Sequence, residues 1–161
     1  MNNIRVGTVF KLHRPYSNQN FNYNPKERYF IYLGKSSMVD DEEIIAILSS
    51  PTTQTQYYES YGDRVKHPHV SFKGGEFGFT EDCVLDLTLI DYNIKYNNLI
   101  NTQDVEIVGN IPKNKLKEIY NHICKSNNIS LKRKLYIYDS FNNDGIIGLS
   151  KPKKYKNRGR N

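Results

Sequence analysis

The chain has 161 residues, a formal net charge of +6 and a mean hydropathy of −0.70. None of its apolar runs approaches the length of about 20 residues that a membrane-spanning helix needs, which excludes a helical membrane protein. Residues 1–5 lack the apolar segment of a secretory signal, so we expect a soluble, cytoplasmic protein. The length suits one domain of ordinary size.

The positive charge is concentrated at the C-terminus. Residues 151–161 carry six of the 23 Lys and Arg residues and no Asp or Glu, which leaves 17 residues of each sign in the rest of the chain. The sequence therefore predicts a domain over residues 1–150 and a basic tail over 151–161 that adds electrostatic affinity for an anionic partner.

Strand patterns follow one another from the N-terminus to residue 111. Each is a short stretch of apolar, aromatic and β-branched residues. The predicted strands cover residues 6–13, 27–35, 43–53, 70–73, 83–90 and 105–111. Polar loops are predicted at 14–26, 54–68 and 91–103, and Gly74 and Gly75 supply a tight turn. The first loop has the length of a binding loop, and a simple insertion is the alternative.

Beyond Pro112 the apolar period changes from two to 3.6, which predicts an amphipathic helix. Its apolar residues are Leu116, Ile119, Tyr120, Ile123 and Cys124. Ser130 is a plausible N-cap of a second helix. Its expected apolar face consists of Leu131, Leu135, Tyr138 and Phe141, and Gly145 follows its end. A strand over residues 135–138 is the alternative that β-propensity favours.

Five or six short strands followed by one or two helices predict a mainly β, α+β fold. Because strands and helices do not alternate, a parallel sheet is not expected. We predict a small twisted barrel with the C-terminal helices packed on it.

The predicted hairpin of 27–35 and 43–53 has polar ends. If these two strands are antiparallel neighbours, the start of the first lies beside the end of the second. That edge would bring together a carboxylate, a guanidinium and several hydroxyl groups, which can hold a phosphate. The residues are Glu27, Arg28, Ser49, Ser50, Thr52 and Thr53. Ordinary ion pairing of Arg28 and turn capping by the threonines are the alternatives.

The cysteines and histidines do not form a metal-binding motif. Cys83 and Cys124 stand alone in apolar stretches and are expected to be buried hydrophobic residues. His67 and His69 lie on one strand face, but further metal ligands are not evident in the sequence. We expect no metal and no cofactor.

The order of these elements resembles the MazF/PemK (Kid-like) toxins, which are small SH3-like barrels of toxin–antitoxin modules. The resemblance runs from about residue 7 to 123. It rests on the first strand (7–10), the long loop after it, and Arg28, which begins a hydrophobic strand. Two further features are the strand 44–48, which is followed by Ser, Pro and Thr residues, and the strand 105–109, which is followed by a helix. Tyr29 stands where the family usually has Pro, and about forty residues follow Cys124, where the family helix normally ends the chain.

The resemblance implies a metal-independent endoribonuclease that cleaves single-stranded RNA in a toxin–antitoxin or phage-defence setting. Arg28 would stabilise the phosphorane, Thr52 and Thr53 would hold the phosphate with Ser49 and Ser50 nearby, and Glu27 would be the general base. His67 and His69 would contact the substrate and are the alternative bases. Tyr57 and Tyr58 would stack on unpaired bases. A protein or RNA antitoxin and a second copy of the chain are the expected partners.

Two other classes of protein use the same residue types. A non-catalytic SH3-like module would bind nucleic acid or protein through the same groove and tyrosines. A structural protein would bury the groove against a partner. Cleavage of RNA in the presence of EDTA separates the enzyme from both.

Overall fold

The computed structural model describes residues 1–13, 28–36, 43–90 and 92–154. This part of the chain forms an α+β fold with antiparallel strands, as the sequence predicts. The strands are β1 Thr8–Leu12, β2 Arg28–Lys35, β3 Ile45–Ser49, β4 His69–Phe72, β5 Cys83–Asp86, β6 Tyr92–Lys95 and β7 Val105–Asn110. The helices are α1 Tyr96–Asn101, α2 Lys113–Lys125 and α3 Leu131–Asn143, and a 3-10 helix covers Thr55–Tyr58.

The strands form two sheets. The larger sheet has the order β6-β3-β2-β1-β7, and β4 pairs with β5 in the smaller one. Thr52, just after β3, connects the two because its N–H and carbonyl each bond to Val84 at 2.9 Å. The SH3-like form of a barrel stays a prediction, whereas the antiparallel strands and the helices packed on them are confirmed.

The predicted central hairpin is confirmed. β2 and β3 are antiparallel neighbours, and Ile31 lies opposite Ser49 in their register. Continuous apolar runs explain the central position of these strands, because both strands bury most of their side chains on both faces. The start of β2 therefore lies beside the end of β3, as the sequence predicts.

Both C-terminal helices are confirmed. In α2, Leu116, Ile119, Tyr120 and Ile123 are buried, at the spacing that the sequence predicts, and the helix packs on β4. Burial of one apolar stripe is what holds a helix of this length on a sheet.

The helix α3 replaces the strand alternative over residues 135–138, which is wrong. Its N-cap is Ser130, whose Oγ accepts the Arg133 N–H at 3.2 Å. The predicted apolar face is partly wrong. The buried residues are Lys134, Ile137, Ser140 and Phe141, whereas Leu131, Leu135 and Tyr138 are only half-buried.

A close backbone contact explains this rotation of α3. The helix packs on β2 where Gly34 has φ +148°, and a Cβ added there would lie 2.6 Å from the Ser140 Oγ. Ser140 also accepts the Lys35 N–H at 3.0 Å. Small residues on the two elements thus meet at the contact and turn Ser140 and its helical neighbours inward.

Two other boundaries differ from the prediction. Residues 91–103, predicted as a loop, contain β6 and α1, because β6 pairs with β3 even though its residues are mostly polar. The strand predicted at 83–90 ends at Asp86, where the chain turns. In the described part of the chain, none of the helices is long and apolar enough to cross a bilayer.

Candidate active site

We define the hairpin end as Arg28, Ser49, Ser50, Thr52 and Thr53. Several of its polar groups bond to local partners. The exposed Arg28 guanidinium donates to the Tyr92 hydroxyl at 2.8 Å. Glu27, the predicted base, lies outside the described residues. The hairpin end therefore contains one cation and hydroxyl groups among its described members, none of which exchanges protons near neutral pH.

Two hydroxyl groups of the hairpin end, those of Ser50 and Thr52, bond to the backbone. Ser49 is buried, and the Ser50 Oγ donates to the Tyr29 carbonyl at 2.8 Å, which joins β3 to β2. The Thr52 Oγ1 accepts the Gln54 N–H at 3.2 Å. The Thr53 carbonyl accepts the Thr55 N–H at 2.9 Å. These contacts are those of a capped turn, the alternative that the sequence left open.

A second cluster lies at the end of the small sheet, where β4 begins and β5 ends. The Asp86 Oδ2 accepts the Tyr58 hydroxyl and bonds to the His67 Nδ1, both at 2.7 Å. His69 lies directly opposite Asp86 in the strand register. The Tyr58 ring centroid is 5.0 Å from that of His69 and 6.5 Å from that of His67. Three predicted substrate-binding residues thus meet around one carboxylate.

Local sequence explains how the two histidines reach the same place. His67 ends a turn, in which its N–H donates to the Arg64 carbonyl at 3.0 Å, and His69 begins β4 on the other side of Pro68. The Pro68 carbonyl accepts the Leu87 N–H at 2.7 Å, which ties this segment to the end of β5. Proline restricts the backbone there and has no N–H group that needs an acceptor.

The hydrogen bonds assign the proton of each neutral imidazole. The His69 Nδ1 lies 2.6 Å from the His67 carbonyl, which only accepts, so the proton of His69 is on Nδ1. The His67 Nδ1 faces an ionised carboxylate, so it also carries its proton. The Nε2 atom of each neutral ring is therefore unprotonated. The His67 side chain is 39% exposed, which leaves it open to a ligand.

The Asp86 carboxylate is held in its charged form. Burial alone would raise its pKa, but hydrogen bonds from His67, from the Thr88 N–H and from Tyr58 outweigh this effect and lower the pKa to about 2. The Thr88 N–H lies 2.9 Å from the Asp86 Oδ1. An ionised carboxylate with this set of donors orients an imidazole and stabilises its protonated form.

Arg64 and Tyr57 lie at the edge of these groups. Burial raises the pKa of Tyr58, as does its hydrogen bond to Asp86, whereas a hydrogen bond from Arg64 acts in the opposite direction. The Arg64 guanidinium also lies 5.1 Å from the centre of the exposed Tyr57 ring. An exposed cation and an exposed aromatic face therefore stand beside the two imidazoles. We call Tyr58, Arg64, His67, His69 and Asp86 the histidine cluster.

The helix α2 brings a third histidine to this region. Burial lowers the pKa of His122, the charges of Lys125 and His69 lower it further, and Glu118 opposes them. The helix packs on β4, which begins at His69, so α2 lies near the histidine cluster. The described ranges contain no group of three His, Cys, Asp or Glu side chains arranged to bind a metal ion.

The sequence did not single out Asp86, Arg64 or His122. One signal for Asp86 was present, since a carboxylate at the end of a strongly apolar strand needs partners. Arg64 and His122 carry no comparable signal, because an exposed arginine in a loop and a histidine on a helix are ordinary.

Comparison with known proteins adds no relative. The chain matches no protein-family model and no curated protein sequence. The histidine cluster therefore has to be interpreted from its own chemistry.

Proposed function

We propose that the protein is a metal-independent endoribonuclease of single-stranded RNA, and that the histidine cluster is its active site. The observation that carries the proposal is the pair of imidazoles whose Nδ1 atoms are bonded to Asp86 and to the His67 carbonyl. Two imidazoles can supply the base and the acid that cleavage by a ribose 2′-hydroxyl needs. The resemblance to the MazF/PemK toxins supports RNA as the substrate, and a cytoplasmic toxin as the biological setting.

The two histidines differ in the partner of Nδ1, and this difference distinguishes their proposed proton-transfer roles. His67 is the general base, because the carboxylate at 2.7 Å stabilises the imidazolium that forms when the base takes a proton. His69 is the general acid, since its Nδ1 is bonded to a neutral carbonyl and its Nε2 carries a proton when the ring is charged. The assignment differs from the Arg and Thr roles that the resemblance implies for the hairpin end.

The proposed reaction is a transesterification. The His67 Nε2 takes the proton of the 2′-hydroxyl as its oxygen forms a bond to the adjacent phosphorus. The bond from that phosphorus to the 5′-oxygen of the next nucleotide breaks, and the leaving oxygen takes the Nε2 proton of His69. The products are a 2′,3′-cyclic phosphate and a 5′-hydroxyl.

Arg64 and Tyr57 provide the groups that such a substrate requires. A guanidinium bonds two phosphate oxygens at once and keeps its charge, so Arg64 would stabilise the phosphorane. The exposed face of Tyr57 would stack on an unpaired base, which favours single-stranded RNA over a duplex.

The test is incubation of a labelled single-stranded RNA with the protein in EDTA, beside a DNA strand of the same base sequence. We expect cleavage of the RNA to fragments with 2′,3′-cyclic phosphate ends and an intact DNA, because the deoxy strand lacks the nucleophile. Cleavage of the DNA, or a strict requirement for added metal ions, would contradict the proposal. Binding of the RNA without cleavage would leave a non-catalytic binding module.

A further inference from the structure

A cavity of about 450 Å³ lies between the end of α2 and the start of α3. Residues 153 and 154, which follow α3, also line it. Ile129 and Leu131 give it an apolar part, and Ser126 and Asn127 give it a polar part. Its size is within the roughly 300–1,000 Å³ of small-molecule sites.

The charged residues of this cavity are all positive. Lys134, Lys153 and Lys154 line it, and the described residues of its lining include no Asp or Glu. Lys134 is 8% exposed, and its Nζ donates to the Cys124 carbonyl at 3.0 Å. An ammonium group has three donors, and a single neutral acceptor does not balance a buried charge. The cavity therefore favours an anion.

The start of α3 reinforces this preference. The Arg133 and Lys134 N–H groups bond to Ser130, whereas the N–H groups of Leu131 and Lys132, as first-turn donors, have no acceptor within the helix. The first turn contains no acidic residue that would offset the positive end of the helix dipole.

We propose that this cavity, which we call the lysine cavity, binds the phosphate group of a nucleotide. Phosphate fits because three lysines line the cavity and the α3 segment that borders it begins with a first turn without acidic residues. The apolar part formed by Ile129 and Leu131 fits a nucleobase or ribose. The nucleotide is either a free molecule or one unit of an RNA strand, and only the second source rests on the proposed ribonuclease function.

The position of the lysine cavity makes the second source feasible. The Ser126 Oγ donates to the Thr88 carbonyl at 2.7 Å, and the Thr88 N–H donates to the Asp86 carboxylate. Two residues of chain span at most about 7 Å, so the cavity wall and the histidine cluster are close neighbours. A strand of a few nucleotides can reach both.

The experiment is a calorimetric titration of the full chain with inorganic pyrophosphate. We expect pyrophosphate to bind with an affinity that added salt weakens. The double variant Lys153→Ala, Lys154→Ala should lose about tenfold or more in affinity, because both ammonium groups line the cavity and are exposed enough to be removed without unfolding. The matched control Lys113→Ala, Lys117→Ala removes the same charge from exposed positions of α2 outside the lining and should bind as the wild type does.

Two results would overturn the site: the absence of pyrophosphate binding by the wild type, or equal affinities of the cavity variant and the control. A second titration with a short DNA strand, which lacks the 2′-hydroxyl and is not cleaved, separates the two sources. A loss of strand affinity in the cavity variant identifies a strand phosphate, and an unchanged strand affinity beside a lost pyrophosphate affinity identifies a free nucleotide. Because both titrations measure binding, a failure to cleave RNA leaves their outcome intact.

Discussion

The hairpin end and the histidine cluster are both polar and each contains one arginine, but their other residues differ in what they can do. At the hairpin end, Arg28 bonds to a tyrosine hydroxyl, and the serine and threonine groups cap the backbone. In the histidine cluster, a carboxylate with a pKa lowered to about 2 faces an imidazole. A cation among hydroxyls can bind a phosphate, but proton transfer near neutral pH needs a group that titrates there.

The largest expected effect is on cleavage by His67→Gln. The glutamine amide keeps a donor for Asp86 but cannot take up a proton, so we expect the cleavage rate to fall by about 10²- to 10⁴-fold. Single-turnover cleavage of a labelled RNA measures this loss, and a melting curve checks that the fold is retained. A rate like that of the wild type would remove His67 from the mechanism.

The next effect concerns stability in acid. The pKa of Asp86 is lower in the folded chain than its ordinary value of 3.8, so its stabilising contribution is complete above about pH 4 and is lost as the pH falls toward 2. The carboxylate is about a quarter exposed, so we expect a contribution of roughly 1–2 kcal/mol after solvent screening.

Denaturant unfolding at several pH values tests this contribution. The variant Asp86→Asn, which cannot titrate at this position, is the control. Between about pH 4 and pH 2, the free energy of unfolding of the wild type should fall by roughly 1–2 kcal/mol more than that of the variant. Parallel pH dependences of the two proteins would show that Asp86 is not held by charged hydrogen bonds.

The smallest effect is expected for Arg28→Ala. Because the Arg28 guanidinium is exposed and bonds to Tyr92, which is not part of the histidine cluster, we expect the cleavage rate to change by less than about twofold. The same single-turnover assay measures it. A loss as large as that of His67→Gln would move the active site to the hairpin end, where the resemblance to the MazF/PemK toxins puts it.

Much of the fold could be predicted because its signals are local. The apolar runs of β2 and β3 and the 3.6 period of α2 are visible in the sequence. The strand β6 was missed because its residues are mostly polar and its stability depends on pairing with β3. The face of α3 was misassigned because the contact between Gly34 and Ser140 joins residues about a hundred positions apart.

The candidate site was predicted in part. Tyr58, His67 and His69 were selected by residue type, and the structure brings them together. Their common partner Asp86 is 19 positions from His67, so it could be found only from the register of β4 and β5. Single residues indicate chemistry, whereas the pairing that makes them a site depends on the fold.

The most direct test is the position of the proton on the two imidazoles. Long-range proton–nitrogen correlation spectra of the ¹⁵N-labelled protein at about pH 8, above the ordinary titration range of histidine, distinguish the two tautomers. We expect both His67 and His69 to carry the proton on Nδ1 in the wild type, and the His67 preference to be lost in Asp86→Asn. A proton on Nε2 of His67 in the wild type would contradict its role as the general base.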